Sequence, residues 1–308
     1  MLSAYVTHAD CLRHEMGAGH PECPERLAAV HDQLLIKGLL DYMLVHDAPL
    51  ATEAQLARAH ALAYVRDITG MAPAEGHRQV DPDTSMNPHT ITAASRAAGA
   101  AVLATDLVLG GEAPSAFCCV RPPGHHAERS AAMGFCFFNN VAVGIRHALD
   151  VHGLQRVALI DFDVHHGNGS EDIFRGDPRV LMCSIFEQGL YPFSGDDATG
   201  PNMVNVGLPS RSGGEKFRAA VTDRWMPALD AFAPQLIYVS AGFDGHREDD
   251  MGNLALVEAD YAWVTTQIMT IARRHCGGRV ISCLEGGYAL SALGRSAAAH
   301  VRVLIGAD

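Results

Sequence analysis

Two hydrophobic periodicities alternate along this chain. Short apolar runs, of the length of buried strands, are separated by longer segments in which apolar residues recur every three or four positions, as on one face of a helix. The predicted strands are Ser3 to Thr7, Ser115 to Val120, Val157 to Ile160, Val180 to Ile185, Val204 to Val206, Leu236 to Ser240 and Arg279 to Leu284. The predicted helices are Pro24 to Leu35, Glu53 to Met71, Ile91 to Leu109, Val141 to His152, a short one ending at Phe174, Lys216 to Phe232, Ala259 to His275 and a C-terminal alanine-rich one. This alternation favours an α/β fold, and we expect a single domain over residues 1–308.

The composition is typical of a folded cytoplasmic protein. Hydrophobic residues make up 48% of 308, enough for a large core, and no uninterrupted apolar run of about 18 residues or signal-like N-terminus occurs. The eight cysteines form no CxxC pair, so we expect reduced, buried thiols. A formal net charge of -12 opposes binding to nucleic acid or to an anionic membrane. The sequence leaves a homo-oligomer open.

The strand predicted at Val157 leads directly into residues of metal-ligand type. Asp161, Asp163 and His165 follow at intervals of two, so a strand that continued through them would place all three on one face. The run then enters a glycine-rich turn, Gly167-Asn168-Gly169. Two carboxylates and an imidazole at the end of one strand are half of a metal site, at the place where α/β sheets keep their active sites.

Three other predicted strands end in residues that could complete this site. They deliver His125-His126, Asp244 and Tyr288. Because right-handed crossovers make such strands parallel, these ends should lie at one edge of the sheet. Asp163, His165 and Asp244 would hold zinc with a position left open for water, and the adjacent histidines could serve as the base.

These segments resemble, in the same order, the motifs of the zinc-dependent histone deacetylase family. The motifs are HPECPERL at 20–27, RPPGHHA at 121–127, GFCFFNN at 134–140, DFDVHHGNG at 161–169, AGFDGHREDDMGNL at 241–254 and EGGY at 285–288. They are most similar to the class II branch and to bacterial histone-deacetylase-like amidohydrolases. The resemblance implies the arginase and deacetylase fold, with about eight mostly parallel strands and helices on both faces. It also implies hydrolysis of an acetyl or other acyl group from a lysine side chain in a peptide or protein.

The resemblance also implies a role for each residue of the site. Asp163, His165 and Asp244 match the ligands of one zinc ion per subunit, and His125 and His126 match the histidines that handle the attacking water and the leaving amine. Asp161 matches the carboxylate behind the first histidine, and Asn168 stands behind the second, which should leave His126 less readily protonated. Tyr288 matches the hydroxyl that stabilises the oxyanion. We expect His166 to point away from the metal and to pack or hydrogen-bond beneath the turn.

Further positions match the family's substrate and potassium sites. The substrate positions are Gly134, Phe135, Tyr191, Met251 and Gly287, with Asp83 at the tunnel rim and Arg26 lining the acetate-release pocket. An inner potassium ion is implied at Asp161, Asp163, His165, Ser184 and Ile185, and an outer one at Phe174, Asp177 and Val180, mostly through backbone carbonyls. One or two K⁺ ions are therefore expected.

Three alternative functions remain open from the sequence. An acetylpolyamine deacetylase would act on a small acylated amine, but polyamine-selective relatives carry a glutamate where this chain has Met251, and Glu15, Glu248 or Asp249 would have to replace it. A two-manganese arginase fits less well, because Asn168 suits a single metal. A catalytically silent acyl-lysine-binding protein would not need Tyr288 and an intact histidine pair.

Overall fold

Eight parallel strands form the central sheet of this computed structural model, which describes residues 1–197 and 200–307. Numbered along the chain and given in spatial order, they are β2 (Met43–Asp47), β1 (Ser3–Thr7), β5 (Ser115–Cys118), β10 (Val280–Leu284), β9 (Leu236–Ala241), β6 (Val157–Asp161), β7 (Val180–Glu187) and β8 (Met203–Leu208). A separate antiparallel hairpin pairs β3 (Arg78–Gln79) with β4 (Ser85–Met86). The predicted α/β class with a mostly parallel sheet is confirmed.

Helices connect the strands and pack on the sheet. They are α1 (Glu25–Ile36), α2 (Glu53–Ala59), α3 (Leu62–Gly70), α4 (Thr90–Leu109), α5 (Asn140–Asp150), α6 (Asn168–Phe174), α7 (Gly214–Ala220), α8 (Met226–Phe232), α9 (Glu258–Cys276) and α10 (Leu290–Leu304). A π-helical turn, Val221–Trp225, joins α7 to α8, so the predicted helix at Lys216 to Phe232 is nearly continuous. Short 3₁₀ turns cover Ala9–Leu12 and Leu39–Tyr42.

Side chains on β9 and β10 show that helices cover both faces of the sheet. Tyr238 on β9 hydrogen-bonds Thr105 of α4, and it pairs in register with Ile281 of β10. Because side chains alternate along a strand, the next residue, Ser282, points to the opposite face. There its hydroxyl lies 2.8 Å from His300 Nε2 of α10.

One predicted helix needed correction, and one strand was not predicted. The helix predicted from Glu53 to Met71 is interrupted, because His60 and Ala61 have extended backbones. The break is fixed from elsewhere in the fold, since the His60 ring lies 2.9 Å from the Glu128 carbonyl and accepts the Asn139 N–H. Strand β2 was not predicted, because it is an edge strand whose Leu44 and Val45 are exposed and so form no buried apolar run.

One helix, α4, is long and apolar enough to cross a membrane by length and composition alone. However, 67% of its most apolar window is buried inside the protein, as expected for a core helix that packs against α5 and the sheet. It is therefore weak evidence for a membrane span. All eight cysteines are free thiols, and seven of them are buried.

Candidate active site

Four adjacent strands deliver the predicted site residues. In the order β5, β10, β9 and β6, they occupy the middle of the sheet, and all of them run in the same direction. Their carboxyl ends therefore meet at one edge, as the sequence predicted. His125 and His126 follow β5, Tyr288 follows β10, Asp244 follows β9, and Asp161, Asp163 and His165 follow β6.

Asp163, His165 and Asp244 come together as the three predicted metal ligands. One donor atom from each lies within 4.8 Å of the other two. His165 Nδ1 is 3.1 Å from Asp163 Oδ1 and 3.2 Å from Asp244 Oδ2. Both carboxylates are fully buried. Two carboxylates and one imidazole form a three-residue protein set that leaves room for a further ligand, as in catalytic zinc sites.

The common direction of Asp163 and His165 does not come from strand alternation. Strand β6 ends at Asp161, so the prediction of a strand through His165 was wrong. A hydrogen-bonded turn aligns the residues instead: Asp163 N–H donates to Asp161 Oδ1 at 3.1 Å, and His165 N–H donates to Asp163 Oδ1 at 2.9 Å. Each carboxylate thus orients the residue two positions further along the turn.

The buried charges of this cluster fit a divalent cation. Asp244 Oδ2 is buried and accepts no hydrogen bond, whereas its Oδ1 accepts the Val164 N–H at 2.9 Å. Burial and the charge of Asp163 raise the pKa of Asp244 to about 7. Burial opposes charge on His165, but the two carboxylates raise its pKa well above its ordinary value. A cation among these groups would compensate the carboxylates, which are costly to bury unpaired.

The two histidines differ in the group that holds each ring. His125 Nδ1 lies 3.0 Å from Asp161 Oδ2, and His126 Nδ1 lies 2.7 Å from Asn168 Oδ1. Asn168 Nδ2 donates to Glu128 Oε1 at 2.8 Å, so the amide oxygen faces His126 and requires a proton on Nδ1. His126 Nε2 is then free to accept a proton in the cavity.

The pKa values of the two rings move in opposite directions. Burial opposes charge on His125, but the carboxylates of Asp163 and Asp161 outweigh it and raise the pKa to about 10. Burial and the neighbouring His125 and His165 hold the pKa of His126 well below its ordinary value. His126 is therefore neutral, with its unprotonated Nε2 facing the cavity, as expected from a neutral Asn168 behind it.

The buried Arg26 packs against the ring of Tyr288 and hydrogen-bonds the adjacent backbone. The Arg26 guanidinium lies 4.9 Å from the centre of the Tyr288 ring and donates from Nε to the Gly287 carbonyl at 2.6 Å. Burial raises the pKa of Tyr288 well above its ordinary value, although Arg26 opposes this shift. The phenol therefore keeps its proton. Neither Arg26 nor Gly287 is among the residues that line the cavity next to His126 and His165, which is described below. The acetate-release role of Arg26 stays a prediction.

A cavity of about 240 Å³ opens beside His165 of the predicted metal site. The residues that line it are Asp83, His126, Gly134, Phe135, His165, Leu190, Tyr191, Met251 and Tyr288. The predicted tunnel positions Phe135, Tyr191 and Met251 are therefore brought together around His126 and Tyr288. Leu190 was not predicted, because an aliphatic residue in a loop carries no chemical signal.

Phe135, which forms one wall of the cavity, lies in a loop where two successive residues have a left-handed backbone conformation. Phe135 has φ of 67° and Gly134 has φ of 55°, both in the left-handed region. A Cβ on Gly134 would lie 2.5 Å from His126 Cδ2, so glycine allows the loop to approach the ring. Thr84 Oγ1 accepts the Phe135 N–H at 2.9 Å and donates to Asp83 Oδ1 at 2.8 Å. The β3–β4 hairpin thereby connects the rim aspartate to the wall.

His166 lies outside the cavity, as predicted. Its Nδ1 is 3.0 Å from Ser184 Oγ, and its Nε2 is 2.8 Å from Glu171 Oε2. Ser184 itself pairs in register with Asp161, so the residues predicted to hold the inner potassium ion are adjacent. The three carbonyls predicted for the outer ion, those of Phe174, Asp177 and Val180, instead converge on Asn202 Nδ2.

Two buried carboxylates with positioning contacts were missed from the sequence. Glu285 Oε2 accepts the N–H groups of Gly124 and His125, at 2.7 and 3.1 Å, and burial raises its pKa to about 7. Asp249 Oδ2 accepts the N–H groups of Tyr288 and Ala289, at 2.6 and 2.8 Å. Both lie inside the quoted motifs, but their partners become visible only in three dimensions.

A second cluster of ligand-type residues, Asp106, His147 and His152, does not favour a metal. The Nε2 atoms of His147 and His152 lie 2.8 and 2.7 Å from Asp106 Oδ1. The Arg58 guanidinium lies 3.1 Å from His147 Nδ1, and because it can only donate, His147 must carry its proton on Nε2. That nitrogen is then a donor to Asp106 and not a metal ligand.

Comparisons with known proteins agree with this site. The family described as "Histone deacetylase domain" matches residues 20–304. The "Histone deacetylase-like amidohydrolase" of Pseudomonas aeruginosa is 37% identical over 88% of this chain and 73% of its own length. The mouse (Mus musculus) "Polyamine deacetylase HDAC10" is 36% identical over 99% of this chain. The crystal structure of the HDA15 HD domain superposes with a TM-score of 0.92 and 32% identity, covering 99% of this chain and 88% of that one.

Some of the curated relatives are much longer than this chain. The chain spans 48% of the mouse protein and 20% of "Type-2 histone deacetylase 2" of Dictyostelium discoideum, to which it is 33% identical over 97% of its own length. The similarity to these proteins concerns one domain of each.

Proposed function

Because this chain belongs to the histone deacetylase family, we propose that it is a zinc-dependent amidohydrolase that removes acetyl or other acyl groups from lysine side chains. The observation that carries the proposal is the convergence of His126, His165 and Tyr288 on one cavity, with Asp163 and Asp244 clustered around His165. Zinc held by the first three would act as a Lewis acid and lower the pKa of water. A potassium ion at the inner set, Asp161, Asp163, His165, Ser184 and Ile185, belongs to the same proposal.

The neutral His126 is placed to move protons. Its free Nε2 can take a proton from the attacking water and later return it to the leaving amine nitrogen. Asn168 fixes the ring by accepting from Nδ1–H at 2.7 Å without adding charge. His125, whose Nδ1 faces Asp161, supplies positive charge beside the reacting carbonyl.

Tyr288 acts on the carbonyl oxygen of the substrate. Its raised pKa keeps the phenol protonated, so the hydroxyl can donate a hydrogen bond to the oxyanion that forms when water attacks. The Phe135 ring stands nearly perpendicular to the Tyr288 ring, with centroids 5.9 Å apart. The apolar walls therefore suit the methylene chain of an acylated lysine.

Polyamine deacetylation is the second candidate, because one relative is named a polyamine deacetylase. A polyamine would need a carboxylate near the mouth for its distal ammonium group. Met251 lines the cavity, Glu248 pairs with Arg295 at 2.8 Å, and Asp249 is occupied by backbone N–H groups. Among the described residues that line the cavity, Asp83 is the acidic one. Acyl-lysine is the first choice because Glu248 and Asp249 are engaged elsewhere and Met251 stands where polyamine-selective relatives carry a glutamate. The resemblance assigns Asp83 to the substrate backbone and not to a distal ammonium group.

The test compares rates on acetyl-lysine peptides, longer acyl-lysine peptides and acetylpolyamines with the zinc-loaded protein. We expect the acyl-lysine peptides to react faster, whereas preference for acetylputrescine or acetylspermidine would overturn the substrate assignment. Tyr288→Phe should lose most of the rate, on the order of 10²-fold, because one oxyanion donor is removed. Zinc content is measured in parallel. An unchanged rate in this variant would contradict the mechanism, and no turnover in the zinc-loaded wild type would favour a silent acyl-lysine-binding protein.

A further inference from the structure

The outer potassium position implied by the sequence contains a side chain of the protein itself. Asn202 immediately precedes β8 and is buried. Its Nδ2 lies 2.9 Å from the Phe174 carbonyl, 3.1 Å from the Asp177 carbonyl and 2.9 Å from the Val180 carbonyl. These three oxygens are the ones that the resemblance assigns to the outer cation. A cation and the amide nitrogen cannot occupy the same point.

The orientation of the Asn202 amide is determined by its other end. Asn202 Oδ1 lies 3.0 Å from the backbone nitrogen of Gly176, which can only donate. The oxygen must therefore face Gly176, and the NH₂ group must face the three carbonyls. The Asn202 backbone is also anchored, since its carbonyl accepts the Met182 N–H at 2.9 Å. The amide thus has a hydrogen-bond partner at each end.

The charges near the loop between α6 and β7 are already paired. Asp177 Oδ2 accepts from Arg146 Nη1 at 2.7 Å, and Arg179 donates to both carboxylate oxygens, at 3.0 and 2.8 Å. The Arg146 guanidinium also lies 4.9 Å from the centre of the Phe174 ring and donates to the Ile173 carbonyl at 3.0 Å. Two guanidinium groups on Asp177 repel an additional cation, and they leave its carboxylate with no free charge to offer one.

The inner set of oxygens differs from the outer set. In residues 1–197 and 200–307, no hydrogen bond reaches the carbonyls of Asp163 or His165. The carboxylates of Asp161 and Asp163 are part of the same turn. Oxygens without donors beside buried carboxylates suit a monovalent cation, whereas oxygens that already receive an amide donor do not.

We propose that the side-chain amide of Asn202 takes the place of the outer monovalent cation, so that this chain binds potassium at the inner set alone. The amide connects the end of α6, the following loop and the start of β7 to the residue immediately before β8. It is a permanent part of the chain, so this connection does not depend on the potassium concentration. The inference concerns cation binding and stability, and it stands or fails separately from the substrate assignment.

The first experiment counts cation sites in the intact zinc-loaded protein. Crystals are soaked in thallium(I), a potassium mimic with a strong anomalous signal. In the wild type we expect a thallium peak at the inner set and none at the Phe174, Asp177 and Val180 carbonyls. A peak at those carbonyls, with the Asn202 side chain displaced, would overturn the proposal without any mutation.

The second experiment removes the amide. Asn202→Ala removes the amide donor that the three carbonyls share, while the Phe174 and Asp177 carbonyls keep the backbone N–H groups of Asp177 and Val180. Its Tm should therefore fall by several degrees in choline chloride and recover in potassium chloride of equal ionic strength. The variant should also gain a thallium peak at the outer carbonyls. A drop in Tm that is equal in choline and potassium would contradict the inference, as would the absence of a second peak.

Gln235→Ala is the control for loss of a side-chain amide that accepts backbone N–H groups at a site away from the carbonyl cluster. Gln235 Oε1 accepts the N–H groups of Gln155 and Arg156, at 2.7 and 3.0 Å, and so holds a connecting segment away from the carbonyl cluster. Its Tm should change by the same amount in choline and in potassium. A potassium-dependent recovery in this control would show that the effect is general and would count against the role of Asn202.

Discussion

At the scale of single residues, the site depends on positions where a side chain must be small. Gly286 and Gly242 lie against the predicted metal ligands, and a Cβ at either would overlap a carboxylate oxygen: Asp244 Oδ2 for Gly286 and Asp163 Oδ2 for Gly242. The Gly286 N–H also donates to Asp163 Oδ2 at 2.8 Å. Backbone approach therefore sets the direction of these carboxylates.

Gly286→Ala should weaken the metal site. The added methyl group must displace Asp244 or Asp163, so we expect zinc affinity to fall by about 10-fold or more, as for loss of a group that orients a ligand. Zinc bound after dialysis against a chelator measures the change. Gly70→Ala, where a Cβ meets nothing within 4 Å, should keep the zinc of the wild type. Equal zinc retention in the two variants would refute the prediction.

Asp249 is a positioning residue for Tyr288. Its Oδ2 accepts the backbone N–H groups of Tyr288 and Ala289, and its Oδ1 accepts that of Met251 at 3.1 Å. It thus joins the backbone of Tyr288, the proposed oxyanion donor, to Met251 at the cavity. The phenol itself does not touch Asp249 in these contacts, so the effect on catalysis acts through the backbone.

Asp249→Asn should lower kcat more than it changes KM. An amide has one acceptor oxygen where the carboxylate has two, so its NH₂ group must face a backbone donor, either those of Tyr288 and Ala289 or that of Met251. The segment that carries Tyr288 then shifts, and a misplaced catalytic group costs on the order of 10-fold or more in rate. Steady-state kinetics with zinc content held equal checks this. Asp250→Asn makes the same charge change at the exposed neighbour and should behave like the wild type. An effect on KM alone would indicate substrate binding and not positioning.

At the scale of elements, a buried ionic cluster connects the loop before α1 to the loops after β5 and β10. Glu22 accepts from Arg121 Nη2 at 2.6 Å and from Arg26 Nη1 at 3.0 Å, and all three side chains are fully buried. Although burial raises the pKa of Glu22, the charge of Arg121 outweighs it and holds the pKa well below its ordinary value. Arg26 then extends the connection to the backbone of Glu285 and Gly287.

Glu22→Gln should destabilise the protein strongly. Removing one partner leaves two buried guanidinium groups uncompensated, and such losses cost about 3–5 kcal/mol in the free energy of unfolding. Urea denaturation measures the difference. Glu53→Gln removes an exposed partner of Arg66 and should change stability little. The prediction would be wrong if both variants unfolded at the same urea concentration.

At the scale of the whole molecule, a neutral histidine in the core links stability to pH. His300 of α10 lies between Thr265 and Ser282, 2.7 and 2.8 Å from their hydroxyls, and burial lowers its pKa to about 3. The unfolded chain takes up this proton at its ordinary pKa of about 6.5, whereas the folded protein does not. Stability is therefore complete above about pH 6.5 and is lost as the pH falls towards 3.

His300→Gln should reduce this pH dependence. Between about pH 6.5 and about pH 5, the free energy of unfolding of the wild type should fall by about 2 kcal/mol more than that of the variant. Chemical denaturation at several pH values measures both curves. His77→Gln, at an exposed position, should retain the slope of the wild type. Parallel curves for the wild type and His300→Gln would disprove the linkage.

The sequence by itself determined the α/β class, most strands and the set of groups in the site. It could do so because buried strands are local apolar runs, and because residues such as Asp161, Asp244 and Tyr288 follow those runs directly. Parallel strands then require their carboxyl ends to share an edge. Edge strand β2 was not recognised, since its apolar run, Met43 to Val45, is short and runs into polar residues.

Only the tertiary structure decided which groups hold the site in place and which side chain lies among the carbonyls predicted for the outer potassium ion. The partners of Asp249, Glu285 and Arg26 come from other loops, and nothing in the local sequence indicates them. The turn that aligns Asp163 with His165 differs from the strand that their spacing suggested. Asn202 reaches the carbonyls of Phe174, Asp177 and Val180 because β7 and β8 are neighbours. Contacts between loops distant in sequence depend on how the chain packs, so residue spacing alone could not predict them.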